Sequence, residues 1–221
     1  MLRSTKSLSL NILRTVPKGR DPVTHDVVME TSTTHDVVME THHTHYKNMA
    51  SALKNLSKYD EKKLPSAKEM TFGIVVADWN DHITHALYEG TFETLTKHGA
   101  SPENIETIQV PGAFELPSGA AMLAAKHSLD AVICLGCVIT GETTHNVYIN
   151  HAVATGLTNL SIASGKPFIF GLLTPNTEEQ ALDRAGGKYG NKGVEAAVTA
   201  IRMAGLKKEL GERKQRIGFG G

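Results

Sequence analysis

The chain has 221 residues, and its 23 Lys and Arg side chains are balanced by 23 Asp and Glu side chains. A balanced chain has no net charge to attract a polyanion, so the composition argues against nucleic-acid binding, and no apolar run is long enough to span a membrane. The length fits one domain of ordinary size with an additional segment. We therefore expect a soluble cytoplasmic protein that acts on a small molecule.

The N-terminal segment, residues 1–55, differs from the rest of the chain because Ser, Thr and His are abundant and apolar periodicity is poor. Residues 24–31 recur as residues 34–41, but two copies are too few for a solenoid. We expect a disordered low-complexity extension whose histidine cluster at residues 42–45 has no fixed geometry for a metal. Three origins stay open, namely a basic transit peptide, a start misassigned upstream of Met49, or an engineered extension.

From Met70 onward, β-rich segments alternate with helix-periodic segments, which is the pattern of βαβ units. The predicted strands cover residues 71–79, 105–110, 131–139 and 167–173. Such units build a parallel sheet that helices cover on both faces. The sequence therefore predicts a three-layer α/β/α domain with a central four-stranded parallel, flavodoxin-like sheet at residues 56–211, and a basic Gly-rich tail at residues 212–221.

Capping signals mark several of the predicted helices. Asn80 or Asp81 is placed to cap the helix after the first strand. Residues 177–180, Thr-Glu-Glu-Gln, form a capping-box pattern for a helix that we expect to end at Gly186-Gly187. An apolar stripe at helical spacing predicts the last helix from Asn191 to Leu210.

The two cysteines, Cys134 and Cys137, lie three positions apart in the third predicted strand. Successive side chains of a strand point to opposite faces, so these two thiols should face away from each other. A thioredoxin-type pair would instead open a helix. We expect reduced, packed thiols and no disulfide.

Ligands of an open parallel sheet bind beyond the carboxyl ends of its strands, so the loops there are the candidates for chemistry. Trp79 ends the first strand, where its ring either stacks on a flat heterocycle or belongs to the core. The second strand is followed by Pro111-Gly112-Ala113-Phe114-Glu115, in which Gly112 permits close approach of a ligand to the backbone. Phe114 is either a ligand contact or a core residue.

The loop after the third strand, Thr140-Gly141-Glu142-Thr143-Thr144-His145, has the parts of a phosphate cradle at a helix start. Alternatively, Thr143 or Thr144 only caps the helix. His145 is suited to proton transfer near neutral pH, and Arg184 either binds a phosphate ester or satisfies the C-terminus of its helix. These residues by themselves indicate a phosphate-binding α/β domain with a candidate acid/base group.

Taken together and in order, these segments resemble the 6,7-dimethyl-8-ribityllumazine synthase family over about residues 56–211. The segments that carry the resemblance are Gly73-Ile74-Val75-Val76 with Trp79-Asn80, Val110 to Pro117, Leu135 to Ile139 with Gly141-Glu142-Thr143 and His145, Phe168 to Thr174, Arg184 to Lys188, and Gly190 to Gly193.

The resemblance implies condensation of 5-amino-6-(D-ribitylamino)uracil with 3,4-dihydroxy-2-butanone 4-phosphate, with loss of phosphate and water. This is the penultimate step of riboflavin biosynthesis, and the resemblance implies that it needs neither cofactor nor metal. It also implies a homopentamer with sites between subunits, which in some members forms a 60-subunit icosahedral shell. Riboflavin synthase is a candidate partner.

The resemblance also implies roles for individual residues. It assigns proton transfer to His145 and stacking on the pyrimidine ring to Trp79, and it places Phe170 in the site of a neighbouring subunit. The ribityl and heterocycle pocket is assigned to Ala113, Phe114 and Glu115. Backbone and wall contacts are assigned to Cys137, Val138 and Ile139. Binding of the phosphate group is assigned to Glu142, Thr143 and Arg184.

Some neighbours of His145 depart from the family's usual pattern. Thr140 stands where Arg or Gln is common, Thr144 where Pro, Ser or Lys is usual, and Asn146-Val147 where an aromatic or acidic pair is frequent. We expect these residues to orient His145 more than to take part in chemistry. A non-catalytic flavin or lumazine binder and a shell or carrier protein remain alternatives to the enzyme.

Overall fold

The computed structural model of the protein describes residue 55 and residues 57–216, and the burial of side chains as far as residue 211. The predicted extension at residues 1–55, with its repeat and histidine cluster, therefore lies outside the described residues apart from residue 55. The end of the predicted tail, residues 217–221, also lies outside them.

Four parallel strands form the central sheet in the order β2-β1-β3-β4. They are β1 Phe72–Ala77, β2 Ile105–Val110, β3 Ala131–Cys137 and β4 Phe168–Leu173. The inner strands β1 and β3 are buried at every residue, whereas β2, at one edge, is buried only at its two ends and alternates between half-buried and exposed residues in between. This pattern is expected where helices cover both faces of a parallel sheet.

In the part of the chain that the structure describes, five helices surround the sheet, and a small hairpin precedes the last of them. The helices are α1 Asp81–Lys97, α2 Leu116–Lys126, α3 His145–Ser164, α4 Glu178–Arg184 and α5 Lys192–Arg216. The hairpin pairs β5 Ala185–Gly187 with β6 Gly190–Asn191. Short 3-10 turns occur at Glu61–Lys63, Pro102–Asn104 and Ala113–Glu115.

The core lies in two layers, one on each side of the sheet. On one side, α1 and α5 pack against the sheet, with Leu87 and Ile201 among their buried residues. On the other side, α2 and α3 contribute Leu123 and Val153 to a second buried cluster. The predicted three-layer α/β/α fold and its four-stranded parallel sheet are confirmed.

The predicted strands are confirmed, but β1 and β3 end earlier than expected. β1 ends at Ala77 instead of Trp79, and β3 ends at Cys137 instead of Ile139. Beyond the last ladder residues, Trp79 after β1 and Val138 and Ile139 after β3 line a cleft at the carboxyl edge of the sheet. Apolar content alone does not distinguish these two environments.

The caps of α1 and α4 are built differently from the sequence expectation. Asn80 occupies the N-cap position of α1, yet its side chain makes no cap hydrogen bond and donates from Nδ2 to the Cys137 carbonyl oxygen at 3.0 Å. Thr177 caps α4 as predicted, its Oγ1 accepting from the Gln180 amide at 3.3 Å. The Gln180 side chain accepts instead from the amide of Asn176 at 2.9 Å, so the capping box is only half formed.

The C-terminal ends of two helices also differ from the prediction. α4 ends at Arg184, before Gly186-Gly187, because the residues that follow pair with β6 as a hairpin. α5 continues past the expected end at Leu210 to Arg216. Its last turns consist mostly of Lys, Glu, Arg and Gln, which are good helix formers, and one exposed Gly211 costs a helix only about 1 kcal/mol.

None of the described helices is both long and apolar enough to cross a membrane.

Candidate active site

A cleft of about 790 Å³ opens at the carboxyl edge of the sheet, beyond the ends of β1, β2 and β3. This is where ligands bind in parallel α/β sheets. Three loops line it, one after each strand, together with the first turns of α3. The lining residues are Trp79, Asn80, Pro111, Gly112, Ala113, Phe114, Glu115, Cys137, Val138, Ile139, Gly141, Thr143, His145, Asn146, Tyr148 and Ile149.

The aromatic side chains of the first two loops, Trp79 and Phe114, are largely exposed in this cleft. Trp79 is 73% exposed and Phe114 is 61% exposed, so neither of them belongs to the core. Large apolar side chains that remain exposed in a concave site generally serve binding. The alternative that Trp79 or Phe114 is a core residue is therefore wrong, and both rings are free to contact a ligand.

The turn that carries Trp79 is held by Asn80. Asn80 has a left-handed backbone conformation, with φ of 62°, and is the one non-glycine residue with positive φ among those described. Its side-chain amide bonds to the Cys137 carbonyl, which ties the end of β1 to the end of β3. Sequence reasoning treated Asn80 as a helix cap and missed that it lines the cleft.

The two thiols lie on opposite faces of β3, as predicted. Cys134 is buried in the layer of α2 and α3, and Cys137 in the layer of α1 and α5, and both are free. Burial, with a smaller contribution from the negative charge of Glu178, raises the pKa of Cys137 to about 12, and burial raises the pKa of Cys134 as well. Both side chains are protonated at neutral pH, so Cys137 contributes a wall to the cleft and no nucleophile.

The loop after β3 leads into α3, which begins at His145. Gly141, Thr143 and His145 line the cleft, whereas Glu142 is exposed and does not line it. Thr144 is at the N-cap position, but its side chain makes no cap hydrogen bond. The first turn of a helix presents N–H groups and the positive end of the helix dipole, so this corner of the cleft favours an anion.

Two residues assigned to the site by resemblance lie elsewhere in this chain. Phe170 is half-buried on β4 and packs against the layer of α2 and α3. Arg184, at the end of α4, pairs with Glu195 at 2.7 Å between Nη2 and Oε1, and donates from Nη1 to the Tyr189 carbonyl oxygen at 2.9 Å. Neither residue lines the cleft.

The first turns of α3 supply site residues that sequence reasoning did not assign. Tyr148 and Ile149 lie three and four positions after His145, and residues at these spacings share one face of a helix. Tyr148 is 72% exposed. The helical spacing from His145 was the signal that could have identified both residues.

Among the described residues, no group of three or more His, Cys, Asp or Glu side chains is arranged to hold a metal ion. The candidate site is thus an aromatic cleft with a histidine and an anion-favouring helix start.

The model of one protein family, 6,7-dimethyl-8-ribityllumazine synthase, matches residues 69–208 of the chain. The chain belongs to this family. All of the lining residues of the cleft lie within the matched range. The predicted family is confirmed, and with it the predicted activity as a transferase that forms 6,7-dimethyl-8-ribityllumazine in riboflavin biosynthesis.

Individual relatives are similar over nearly their whole length. The 6,7-dimethyl-8-ribityllumazine synthase of Parabacteroides distasonis is 57% identical over 155 residues, which are 70% of this chain and 97% of that protein. The enzyme of Cytophaga hutchinsonii is 56% identical over 155 residues, also 70% of this chain and 97% of that protein. The enzyme of Porphyromonas gingivalis is 51% identical over 160 residues, 72% of this chain and 99% of that protein.

Proposed function

We propose that the cleft is the active site in which 5-amino-6-(D-ribitylamino)uracil condenses with 3,4-dihydroxy-2-butanone 4-phosphate. The observation that supports this most directly is that Trp79, Phe114 and His145 face one space at the carboxyl edge of the sheet. A stacking surface for a planar ring, a proton-transfer group and an anion-favouring helix start are thereby combined. Each of the two substrates requires a different part of that combination.

The uracil substrate is proposed to bind along the walls formed by the first two loops. Trp79 stacks on the pyrimidine ring, and Cys137, Val138 and Ile139, at the end of β3, supply a further part of the wall. The ribityl chain lies against Ala113 and Phe114. The half-buried Glu115 accepts hydrogen bonds from its hydroxyl groups.

The phosphate group is proposed to lie at the start of α3, beside residues 141–144. Backbone N–H groups there and the Thr143 hydroxyl donate to its oxygens. Glu142 belongs to the same loop and is exposed, and its carboxylate is proposed to lie at the rim of the phosphate site. A phosphate held at this helix start is stabilised both as a bound ester and as a leaving anion.

His145 is the proposed proton-transfer residue. The uracil 5-amino group attacks the ketone, and loss of one water gives an imine. Removal of a proton then expels phosphate, and attack of the ribitylamino nitrogen with loss of a second water closes the ring. Each step moves a proton close to the bound substrates, and an imidazole side chain is suited both to accept and to donate protons in such steps.

Phe170 and Arg184 are proposed to enter the site of a neighbouring copy in a pentamer. Phe170 lies on β4, the edge strand at the other end of the sheet from β2, and neither residue reaches its own cleft. The guanidinium of Arg184 would exchange part of its pairing with Glu195 for the substrate phosphate. A single chain would then be nearly inactive.

Further proposals concern the larger assembly and the chain ends. The β5/β6 hairpin is short and has no inserted residues, and this is compatible with a 60-subunit shell. Riboflavin synthase is a proposed partner of such a shell. Residues 56–211 are proposed as the catalytic domain, with residues 1–55 as an appendage and 212–221 as a terminal segment. The proposed location of the enzyme is the cytoplasm.

The proposed site is tested with the full chain and both substrates. We expect the parent protein to form lumazine, followed by its absorbance, with one phosphate released for each product. His145→Ala should lower kcat by about 100-fold or more, since general acid–base catalysis contributes about 10²–10⁴-fold, and should change substrate KM little. Binding of the uracil substrate without any product would contradict the enzymatic proposal, and full activity of His145→Ala would contradict the role of His145.

A further inference from the structure

The loop at residues 141–144 is held by few contacts of its own side chains. Residues 141–145 are all exposed, and a methyl group added at Gly141 would meet no atom within 4 Å. Thr144, at the N-cap of α3, makes no side-chain cap hydrogen bond. A loop built in this way does not by itself fix the position of the His145 backbone. Something outside residues 141–144 is needed to hold the start of α3.

The two ends of this loop are joined by a side-chain contact. Asn146, the second residue of α3, donates from Nδ2 to the Thr140 hydroxyl oxygen at 3.2 Å. Asn146 is half-buried and lines the cleft, whereas Thr140 lies outside it. The contact therefore links the residue before the loop to the first turn of α3, while Gly141 and Thr143 of the loop line the cleft.

Thr140 is in turn attached to the segment that follows β4. Its amide donates to the Pro175 carbonyl oxygen at 3.0 Å. Its hydroxyl lies 3.3 Å from that same oxygen and 3.3 Å from Asn176 Oδ1, so its single proton is shared between two acceptors. The amide of Asn176 bonds to Gln180 of α4. The loop is thus anchored to a second element of the fold.

The direction of these bonds is chemically consistent. The threonine hydroxyl donates its proton towards residues 175–176 and keeps its lone pairs for the Asn146 amide. Both Thr140 and Asn146 are positions at which the chain departs from the pattern of the family it resembles, and the structure brings these two departures into direct contact.

We propose that Thr140 and Asn146 form a clasp that positions His145 and the phosphate-binding loop for the reaction. The inference rests on the proposed role of this cleft. Both are positioning residues, since neither is assigned a contact with reacting atoms. The clasp acts on kcat, because it sets where the imidazole and the helix start stand relative to the bound substrates.

A double-mutant cycle in the full chain tests the clasp. Thr140→Val removes the hydroxyl at constant shape, and Asn146→Ala removes the donor. A hydrogen bond of this kind contributes about 1 kcal/mol, so each single variant should lose about fivefold in kcat. The double variant should lose no more than Thr140→Val, because Thr140→Val already removes the bond that Asn146→Ala removes. KM for the uracil substrate should stay at the parent value, since the Trp79 wall is unchanged.

Two further variants serve as matched controls. Thr140→Ser keeps the hydroxyl and should retain the parent kcat, and this comparison with Thr140→Val remains decisive if the double variant does not fold. Thr158→Val makes the same chemical change at an exposed position on α3 outside the cleft, and should leave kcat unchanged.

Additive losses in the double variant, or a Thr140→Val protein with the parent kcat, would overturn the clasp. Equal losses for Thr140→Ser and Thr140→Val would also overturn it. Failure of the proposed function is a separate result, because then the parent protein itself would form no lumazine.

Discussion

Removal of the indole of Trp79 should weaken substrate binding while leaving the free energy of unfolding nearly unchanged. Trp79 is 73% exposed, so little of its surface is buried in the fold, and Trp79→Ala should change the free energy of unfolding by no more than about 0.5 kcal/mol. Stacking of a base on an aromatic side chain contributes about 1–3 kcal/mol to binding. The affinity for 5-amino-6-(D-ribitylamino)uracil should therefore fall by about 5- to 150-fold.

Calorimetric titration with the uracil substrate, paired with thermal unfolding, measures both quantities. Trp79 is the only tryptophan of the chain, so quenching of its fluorescence reports the same binding event in the parent protein. Trp79→Phe keeps an aromatic face and should recover most of the affinity. Met122→Ala removes another large apolar side chain, 70% exposed on α2 and outside the cleft, and should change neither quantity.

The opposite pattern would refute this reasoning. If Trp79→Ala unfolded at a clearly lower temperature and bound the uracil substrate as tightly as the parent, the indole would be a packing residue and the ring-binding wall would lie elsewhere. An equal loss of affinity in Met122→Ala would show that the effect is not specific to the cleft.

Further experiments test the phosphate site, the core and the thiols. Arg184→Ala should raise KM chiefly for the phosphate substrate in steady-state kinetics, and an effect confined to the uracil substrate would contradict this role. Gly193→Ala should lower the free energy of unfolding by about 1–3 kcal/mol, because the added methyl group would overlap the Leu87 carbonyl where α1 and α5 cross. Gly211→Ala adds a methyl group in open space and should raise the free energy of unfolding by about 0.5–1 kcal/mol. Burial raises the pKa of Cys137 from 9.0 to about 12, so the thiol should resist alkylation at pH 8 until the protein is unfolded. The same shift means that the protonated thiol stabilises the folded state fully below pH 9, and that this stabilisation is lost as the pH rises towards 12. Rapid labelling of the folded protein at pH 8 would be inconsistent with this burial.

The order of elements could be predicted because it depends on local patterns. Buried parallel strands are continuous apolar runs, and β3 is such a run with both cysteines inside it. The strand-to-helix loops then have to lie at the carboxyl edge of the sheet, whatever their sequence. The sequence alone therefore predicts that Trp79, Phe114 and His145 lie at one edge of the sheet.

Exposure and long-range contacts were decided only by the tertiary structure. Whether Trp79 is a core residue or an exposed ring depends on which other segments cover the end of β1. The spacing of apolar residues along the sequence carries no information about those segments. From the sequence, Arg184 was compatible with a phosphate contact, but in the structure its guanidinium group forms an ion pair with Glu195 of the same chain.

The sequence by itself determined the sheet, the position of the reactive loops and the residue types at them, because these follow from the spacing of apolar and polar residues along the chain. The tertiary structure decided which side chains share a space. The contact between Thr140 and Asn146, and the separation of Phe170 and Arg184 from the cleft, depend on how loops fold over each other after the sheet has formed. Such distances are set by packing between segments far apart in sequence, and no local pattern encodes them.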